Sequence, residues 1–196
     1  MKTPKKLLVI VDMVNGFINV GALADKNINK ITPNIVRMVK SATKFKTPII
    51  AFKDTHIEND LEFEFYPPHC IKGTNECELI PELKPFEDKF TVIEKNTTNG
   101  FITKSFQNIV KNVLFDEVIV VGCCTDICVE QFATDYQKFN EENNRKTKII
   151  VIENATYTFD AKSHNAKNCH DGALKRMANA GITILQVGDK LDEKTY

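Results

Sequence analysis

Short aliphatic runs alternate along the chain with segments whose apolar residues recur at helical spacing. Residues 6–11 are almost continuously apolar, a pattern typical of a strand buried on both faces of a parallel sheet. Residues 28–45 instead place Ile31, Ile35 and Val39 on one helical stripe. The same alternation predicts five more strands, at 48–52, 91–94, 117–121, 148–152 and 182–187. It predicts further helices at 103–112, 126–140 and 163–180, the last of them ended by Gly181.

This order of elements predicts an α/β fold. Strands that alternate with helices form βαβ units, so we expect a doubly wound, mostly parallel six-stranded sheet with helices on both faces, in three αβα layers. At about 100–200 residues per domain, the 196 residues predict a single domain over 1–190, with a loop insertion at 54–89 and a polar tail at 191–196. Ligands bind such sheets beyond the carboxyl ends of the strands, so the residues that follow strands are the functional candidates.

Composition and charge exclude several classes of protein. The chain is 42% hydrophobic and 27% charged, which is typical of a folded protein rather than a disordered one. Lys and Arg together number 26, as do Asp and Glu, so no positive excess predicts nucleic-acid binding. The longest aliphatic run, 7–11, is far shorter than the ~20 residues of a membrane helix, and the basic N-terminus lacks the apolar core of a signal peptide. We therefore expect a cytoplasmic protein whose six cysteines are reduced thiols.

Cys128 is the strongest candidate for a reactive group. The segment V-G-C-C-T-D-I-C-V leads from a predicted strand into a helix, with Thr125 or Asp126 as the natural N-cap and Cys128 in the first turn. A thiol at that position feels the positive end of the helix dipole, which favours the thiolate, and free N–H groups nearby could bind an oxyanion. The alternative is a buried, inert cysteine. Cys123 and Cys124 are interpreted as packing or turn residues.

Two charged residues lie at the same predicted edge of the sheet. Asp12 interrupts an aliphatic strand, so it either caps the following loop or acts as an acid and base. Lys95 ends the third strand and could stabilise a thiolate or exchange protons. The alternative for Lys95 is an ordinary surface lysine, and spacing alone does not distinguish it from Lys104.

Asp54, His56 and His69 together suggest a metal site. Asp54 and His56 are two apart in extended chain and so face the same side. His69 follows a stiff Pro-Pro pair. This nitrogen and oxygen donor set suits Zn²⁺, Mn²⁺ or Fe²⁺, although surface histidines on a loop would give the same pattern. Three nearby glutamates are candidates for a fourth ligand: Glu58, Glu62 and Glu64.

The remaining aromatic and imidazole side chains are compatible with packing alone. His164 and His170 lie six apart on the predicted last helix and do not share a face, so we interpret both as structural. Four aromatic residues near the predicted loops could form a flat pocket or could only pack: Phe17, Phe63, Phe65 and Tyr66.

Five segments together resemble a known family. They are D-M-V-N-G-F, D-T-H, Y-P-P-H-C-I-K-G-T, E-K and V-G-C-C-T-D-I-C-V, and they span nearly the whole chain. The chain resembles the isochorismatase-like cysteine hydrolases, and within them the nicotinamidase/pyrazinamidase branch. The resemblance implies a catalytic triad of Asp12, Lys95 and Cys128. It implies an oxyanion hole formed by the N–H groups of Cys124 and Cys128, and a cis peptide bond between Cys123 and Cys124.

The resemblance also implies a binding site for the substrate. Asp54, His56 and His69 match the metal ligands of nicotinamidases, and Glu62 stands where some members carry a further glutamate ligand. Phe17 and Tyr66 match positions that sandwich a pyridine ring. Many members have Trp in place of Tyr66, and D-M-V-N-G-F departs from the usual D-x-Q-x-x-F pattern.

These matches imply a cysteine-dependent amidohydrolase with a small-molecule amide substrate. The implied reaction converts nicotinamide and water to nicotinate and ammonia, or acts likewise on pyrazinamide, through a thioester on Cys128. A divalent metal, Zn²⁺ or else Mn²⁺ or Fe²⁺, would position the pyridine ring. The resemblance further implies a homo-oligomer, dimer or tetramer, and a place in NAD salvage. Two alternatives remain open: a relative that hydrolyses an N-carbamoyl group or a vinyl ether, and a binding protein that has lost the chemistry.

Overall fold

A six-stranded parallel sheet forms the centre of the molecule. The computed structural model describes residues 5–188. The strands run in the spatial order β3-β2-β1-β4-β5-β6, and every pairing between them is parallel. Their bounds are β1 Lys6–Val11, β2 Ile49–Asp54, β3 Phe90–Lys95, β4 Glu117–Gly122, β5 Lys148–Thr156 and β6 Thr183–Leu185. The predicted α/β fold class is confirmed.

Helices cover both faces of this sheet. They are α1 Asn15–Ile18, α2 Thr32–Lys44, α3 Lys104–Asn112, α4 Glu130–Glu142 and α5 Ala166–Asn179. One buried cluster joins α2 to one face of the sheet through residues such as Ile35 and Val39. A second cluster joins α3, α4 and α5 to the opposite face through residues such as Phe106, Phe132 and Met177. The sheet therefore lies between two apolar layers, which explains why its central strands read as continuous aliphatic runs.

Strand register brings the chemistry-bearing residues to one edge of the sheet. In β2 and β3, Asp54 lies opposite Lys95. In β1 and β4, Val11 lies opposite Gly122, so Asp12 and Cys123 follow these strands side by side. The topology reverses between β1 and β4, which is where α/β sheets form a crevice for ligands.

Three predicted helices differ in detail from the structure. The predicted helix at 28–45 is a 3₁₀ helix over Lys26–Ile31 followed by α2. The predicted helix at 126–140 begins as a π-helical turn over Thr125–Val129, and its N-cap is Cys124, with no side-chain cap from Thr125 or Asp126. The last helix begins at Ala166, with the Asn165 side chain as its cap, so placing His164 on that helix was wrong.

The helical structure in the long segment between β2 and β3 consists of short turns of 3₁₀ helix. They lie at Leu61–Glu64, Asn75–Cys77 and Lys84–Lys89. No helix among residues 5–188 is long and apolar enough to cross a membrane. The polar tail predicted at 191–196 lies outside the described residues.

Candidate active site

Asp12, Lys95 and Cys128 meet at the carboxyl edge of the sheet. Asp12 follows β1, Lys95 ends β3, and Cys128 lies in the π-helical turn after β4. Lys95 Nζ is 2.8 Å from Asp12 Oδ2 and 2.8 Å from Asp54 Oδ1, and all four side chains are buried. The ammonium thus bridges two carboxylates that come from neighbouring strands.

The charges of this cluster depend on Lys95. Burial opposes the protonated amine, but the carboxylates of Asp12 and Asp54 outweigh burial and raise the pKa of Lys95 well above its usual value. Burial likewise opposes ionisation of Asp54, yet Lys95 and hydrogen bonds from two imidazoles hold the pKa of Asp54 below its usual range. Lys95 is therefore a fixed cation and Asp54 a fixed anion at neutral pH.

The pKa values of Asp12 and Cys128 are shifted so that the neutral forms of these two side chains are favoured. Burial raises the pKa of the Asp12 carboxyl to about 7, against the opposing charge of Lys95. The Cys128 thiol lies near enough to affect that pKa as a hydrogen-bond donor. Burial, aided by the charge of Asp12, raises the pKa of Cys128 well above its usual value. This direction is opposite to the expected thiolate, because burial and the charge of Asp12 outweigh the opposing charge of Lys95. Cys128 needs a base to take its proton, and Asp12 has a pKa suited to that role.

The backbone before Cys128 is shaped by a sharp bend. Gly122 ends β4 with φ of 116°, and the Cys123–Cys124 peptide bond is cis, as the resemblance implied. The Cys124 carbonyl accepts hydrogen bonds from Ile127 N–H at 3.2 Å and Val129 N–H at 3.1 Å. Cys128 stands between these two residues in the sequence, and its own N–H takes part in neither bond.

Asp54, His56 and His69 form a buried cluster of metal-ligand atoms. Asp54 Oδ2 is 3.0 Å from His56 Nε2 and 3.1 Å from His69 Nε2, and the three ligand atoms all lie within 4.8 Å of one another. One carboxylate oxygen and two imidazole nitrogens are the donors that divalent ions such as zinc prefer. The residues therefore fit a divalent metal ion.

Neighbouring groups fix the orientation of both imidazoles. His69 Nδ1 donates to the Pro67 carbonyl at 2.8 Å, which fixes the ring so that its Nε2 faces Asp54 and is the atom available to a metal ion. His56 Nδ1 is 3.1 Å from Asp60 Oδ2, an arrangement that recurs around histidine metal ligands. Sequence reasoning missed Asp60, although its i,i+4 spacing from His56 was a usable signal.

The three candidate glutamates occupy different environments. Glu62 lines the cavity beside the cluster but stands outside the group of converging ligand atoms. Burial, with the nearby charge of Asp54, raises the pKa of Glu62 above its usual value. Glu58 and Glu64 are exposed and do not line the cavity.

A cavity of about 360 Å³ opens beside the triad and the metal-ligand cluster. Phe17 and Tyr66 both line it, and their rings lie 5.7 Å and 6.3 Å from the ring of His69. Further lining residues come from segments that carried no sequence signal: Ala22, Leu23, Ala24, Thr98, Phe159 and Ala161. The cavity is thus lined mainly by apolar surface, with polar groups among its lining residues, which is the usual character of a small-molecule site.

Comparison with known proteins identifies the family. Residues 6–189 match the isochorismatase domain. The chain belongs to the isochorismatase family. It is similar to Nicotinamidase 1 of Arabidopsis thaliana, with 37% identity over 178 residues that cover 82% of this chain and 72% of the relative.

Solved structures of a nicotinamidase and a pyrazinamidase share the fold. A nicotinamidase from Bacillus subtilis superposes with a TM-score of 0.80 at 24% identity, covering 93% of this chain and 99% of that one. A pyrazinamidase of Pyrococcus horikoshii, solved in complex with zinc, gives a TM-score of 0.78 at 23% identity, covering 93% and 99%. At these identities the two structures establish the fold.

Proposed function

We propose that this isochorismatase-family protein is a nicotinamidase-like amidohydrolase. It converts nicotinamide and water to nicotinate and ammonia, and accepts pyrazinamide in the same way. The observation that carries the proposal is the convergence of an acid, an amine and a thiol beside a buried Asp-His-His cluster, at a cavity that Lys95, Cys128 and His69 line. The similarity to Nicotinamidase 1 supports it.

Acylation begins with proton transfer from the Cys128 thiol to Asp12. The sulfur attacks the amide carbon, and the N–H groups of Cys124 and Cys128 bind the oxyanion. Asp12 then returns the proton to the amide nitrogen, the C–N bond breaks, and ammonia leaves. Lys95 stays protonated throughout and stabilises the ionised forms of its neighbours.

Deacylation repeats these steps with water as the nucleophile. Asp12 takes a proton from water, and the hydroxyl oxygen attacks the thioester carbon. The C–S bond breaks, the sulfur regains a proton from Asp12, and the acid product leaves as nicotinate once its carboxyl proton has passed to solvent. Splitting the reaction in this way replaces one difficult step by two easier ones.

The Asp-His-His cluster and the aromatic residues hold the substrate ring. Asp54, His56 and His69 would bind a divalent metal, Zn²⁺ or else Mn²⁺ or Fe²⁺, with Glu62 or water completing the site. When bound, such an ion supplies a Lewis-acid contact for a ring nitrogen. Phe17 and Tyr66 pack against the ring and exclude water from the amide.

Ammonia release from a small substrate panel tests the proposal. We expect turnover of nicotinamide and pyrazinamide, and far slower turnover of an N-carbamoyl amino acid or isochorismate. Cys128→Ala should fold normally and keep less than about a thousandth of the wild-type rate, the scale for loss of a nucleophile. Cys77→Ala, which removes a buried thiol outside the cavity, is the matched control and should remain active. Preference for the N-carbamoyl compound, or an active Cys128→Ala, would contradict the proposal.

We also propose the setting in which the enzyme acts. The balanced charge argues for a small-molecule substrate rather than nucleic acid. We propose a single domain with the cavity-forming insertion at 54–89, assembled as a homodimer or homotetramer in the cytoplasm.

A further inference from the structure

A second cluster of metal-ligating side chains lies outside the cavity. Asp126, His164 and Cys169 offer one oxygen, one nitrogen and one sulfur, and these atoms all lie within 4.8 Å of one another. They come from three segments: the π-helical turn that carries Cys128, the loop before α5, and the first turn of α5. None of the three lines the substrate cavity.

The imidazole of His164 is held in the orientation of a metal ligand. Its Nδ1 donates to the Phe159 carbonyl at 2.9 Å, and its ring stacks on that of Phe159 with centroids 3.9 Å apart and planes within 6°. Its Nε2 therefore points away from the loop, and it lies 2.7 Å from Asp126 Oδ2. A backbone carbonyl that fixes one ring nitrogen while the other faces a ligand is the usual surrounding of a histidine bound to metal.

Asp126 has a carboxylate oxygen in this cluster that makes no hydrogen bond within the described chain and could bind a metal ion. Its side chain is only 11% exposed. Its Oδ1 is buried and has no hydrogen-bond partner among residues 5–188. A buried carboxylate oxygen without a partner is costly unless something satisfies it, and a cation would do so.

We propose that Asp126, His164 and Cys169 bind a divalent ion of the zinc type, at a site separate from the Asp-His-His cluster. Zinc accepts carboxylate, imidazole and thiolate ligands, and three protein ligands leave one position for water. Binding displaces the proton shared by His164 and Asp126 and the proton of the Cys169 thiol. None of the three residues is fully buried, so an ion can enter from solvent.

The position of the site gives the ion a structural role. His164 belongs to the loop whose Phe159 and Ala161 line the substrate cavity. Asp126 stands two residues before the proposed nucleophile. A bound ion would therefore tie this wall of the cavity to the turn that carries Cys128. The inference does not depend on the proposed hydrolysis, since it rests on ligand geometry alone.

Cobalt substitution tests the second site without measuring activity. The full-length protein is freed of metal with a chelator under reducing conditions and titrated with Co²⁺. A cobalt–thiolate bond gives a near-ultraviolet charge-transfer band, and the Asp-His-His cluster contains no sulfur ligand. We expect two equivalents of Co²⁺ to bind, on the order of one per cluster, and the band to accompany one of them.

Four variants assign the band. Two variants should each lose the band and one equivalent of cobalt: Cys169→Ala and His164→Gln. Alanine is chosen at position 169 because it is a good helix former within α5. Cys128→Ala and His56→Ala should retain the band, the latter losing only the cobalt that has no sulfur ligand. Absence of the band in the wild-type protein would overturn the proposal. So would its persistence in Cys169→Ala or its loss in Cys128→Ala.

Discussion

Lys95 is the residue on which the candidate site depends most. It is the cation between two buried carboxylates, each 2.8 Å away. Removing one member of a buried charge cluster leaves its partners uncompensated, which costs far more than the loss of a surface pair. Replacing Lys95 by an uncharged residue would also remove the charge that stabilises the ionised forms of Asp12 and Cys128. We therefore expect Lys95 to contribute to both folding and catalysis.

Substitution of Lys95 should reduce activity far more than substitution of an ordinary surface lysine. Lys95→Met should lower kcat/KM for nicotinamide by about 10² to 10⁴-fold, the range for loss of a group that assists proton transfer. Lys104→Met is the matched control, because Lys104 is exposed at the start of α3. It should change the rate by less than about twofold, as surface substitutions usually do. Rates are measured by ammonia release.

The stability of each lysine variant is measured alongside its rate. Lys95→Met is assayed well below its own melting temperature, so that unfolding does not imitate a catalytic loss. A folded Lys95→Met enzyme within tenfold of the wild-type rate would show that the amine is not part of the machinery.

Sequence reasoning chose residues that the structure brings together, but it did not predict all of their protonation states. It left Lys95 and Lys104 equivalent, because only the register of β3 against β2 places Lys95 opposite Asp54. It also expected a thiolate at Cys128, since the helix dipole is visible in a sequence pattern whereas the depth of burial is not. The triad, the metal ligands and the substrate-binding residues themselves stay predictions until variants are assayed.

At the scale of elements, the end of β4 has the tightest backbone constraint near the site. Gly122 has φ of 116°, in the left-handed region, and lies against β1. A Cβ at this position would overlap the Val11 carbonyl oxygen and would lie 2.7 Å from the Val11 nitrogen. Both atoms belong to a central strand and cannot move aside cheaply. Glycine is therefore required where β4 leads into the segment that carries Cys128.

Alanine substitution measures that constraint. Gly122→Ala should lower the free energy of unfolding by about 3 kcal/mol or more, because it combines unfavourable φ with a backbone clash. Gly73→Ala is the control, since Gly73 also has positive φ, at 85°, but has open space around it. That variant should lose only about 1–2 kcal/mol. Urea denaturation compares the two, and equal losses would show that the clash at β4 is relieved at no cost.

Secondary-structure elements were predicted best where burial gives the sequence a clear pattern of apolar residues. The central strands β1 and β4 are buried on both faces, and their predicted bounds differ from the observed ones by at most one residue. The π-helical turn before α4 was missed because its wider hydrogen bonding has no distinct apolar spacing. His164 was placed on α5 because a loop that packs against a helix start carries the same polar composition as its first turn.

At the scale of the whole molecule, the insertion between β2 and β3 is tied to the sheet through the Asp-His-His cluster. Asp54 ends β2, whereas His56 and His69 belong to the insertion. Two backbone hydrogen bonds join the segments that carry the histidines: His56 N–H donates to the Cys70 carbonyl at 2.9 Å, and Lys72 N–H donates to the His56 carbonyl at 2.8 Å. A metal held by all three side chains would stabilise these bonds along with the cavity that they frame.

Metal removal should therefore loosen the insertion more than the sheet. A ligand present at about 100 times its Kd stabilises the bound state by roughly 2.7 kcal/mol, so chelation should speed exchange of the His56 and Lys72 amides by up to about 100-fold. The Leu8 amide, which bonds to the Pro48 carbonyl within the sheet, is the internal control and should change far less.

Hydrogen exchange is measured before and after chelation and again after Zn²⁺ is restored. The Cys169→Ala variant is measured in parallel, so that an ion at the second cluster does not contribute. If the His56 and Lys72 amides keep their protection without metal, then the Asp-His-His cluster holds the insertion through hydrogen bonds alone, and a structural contribution from the ion is refuted.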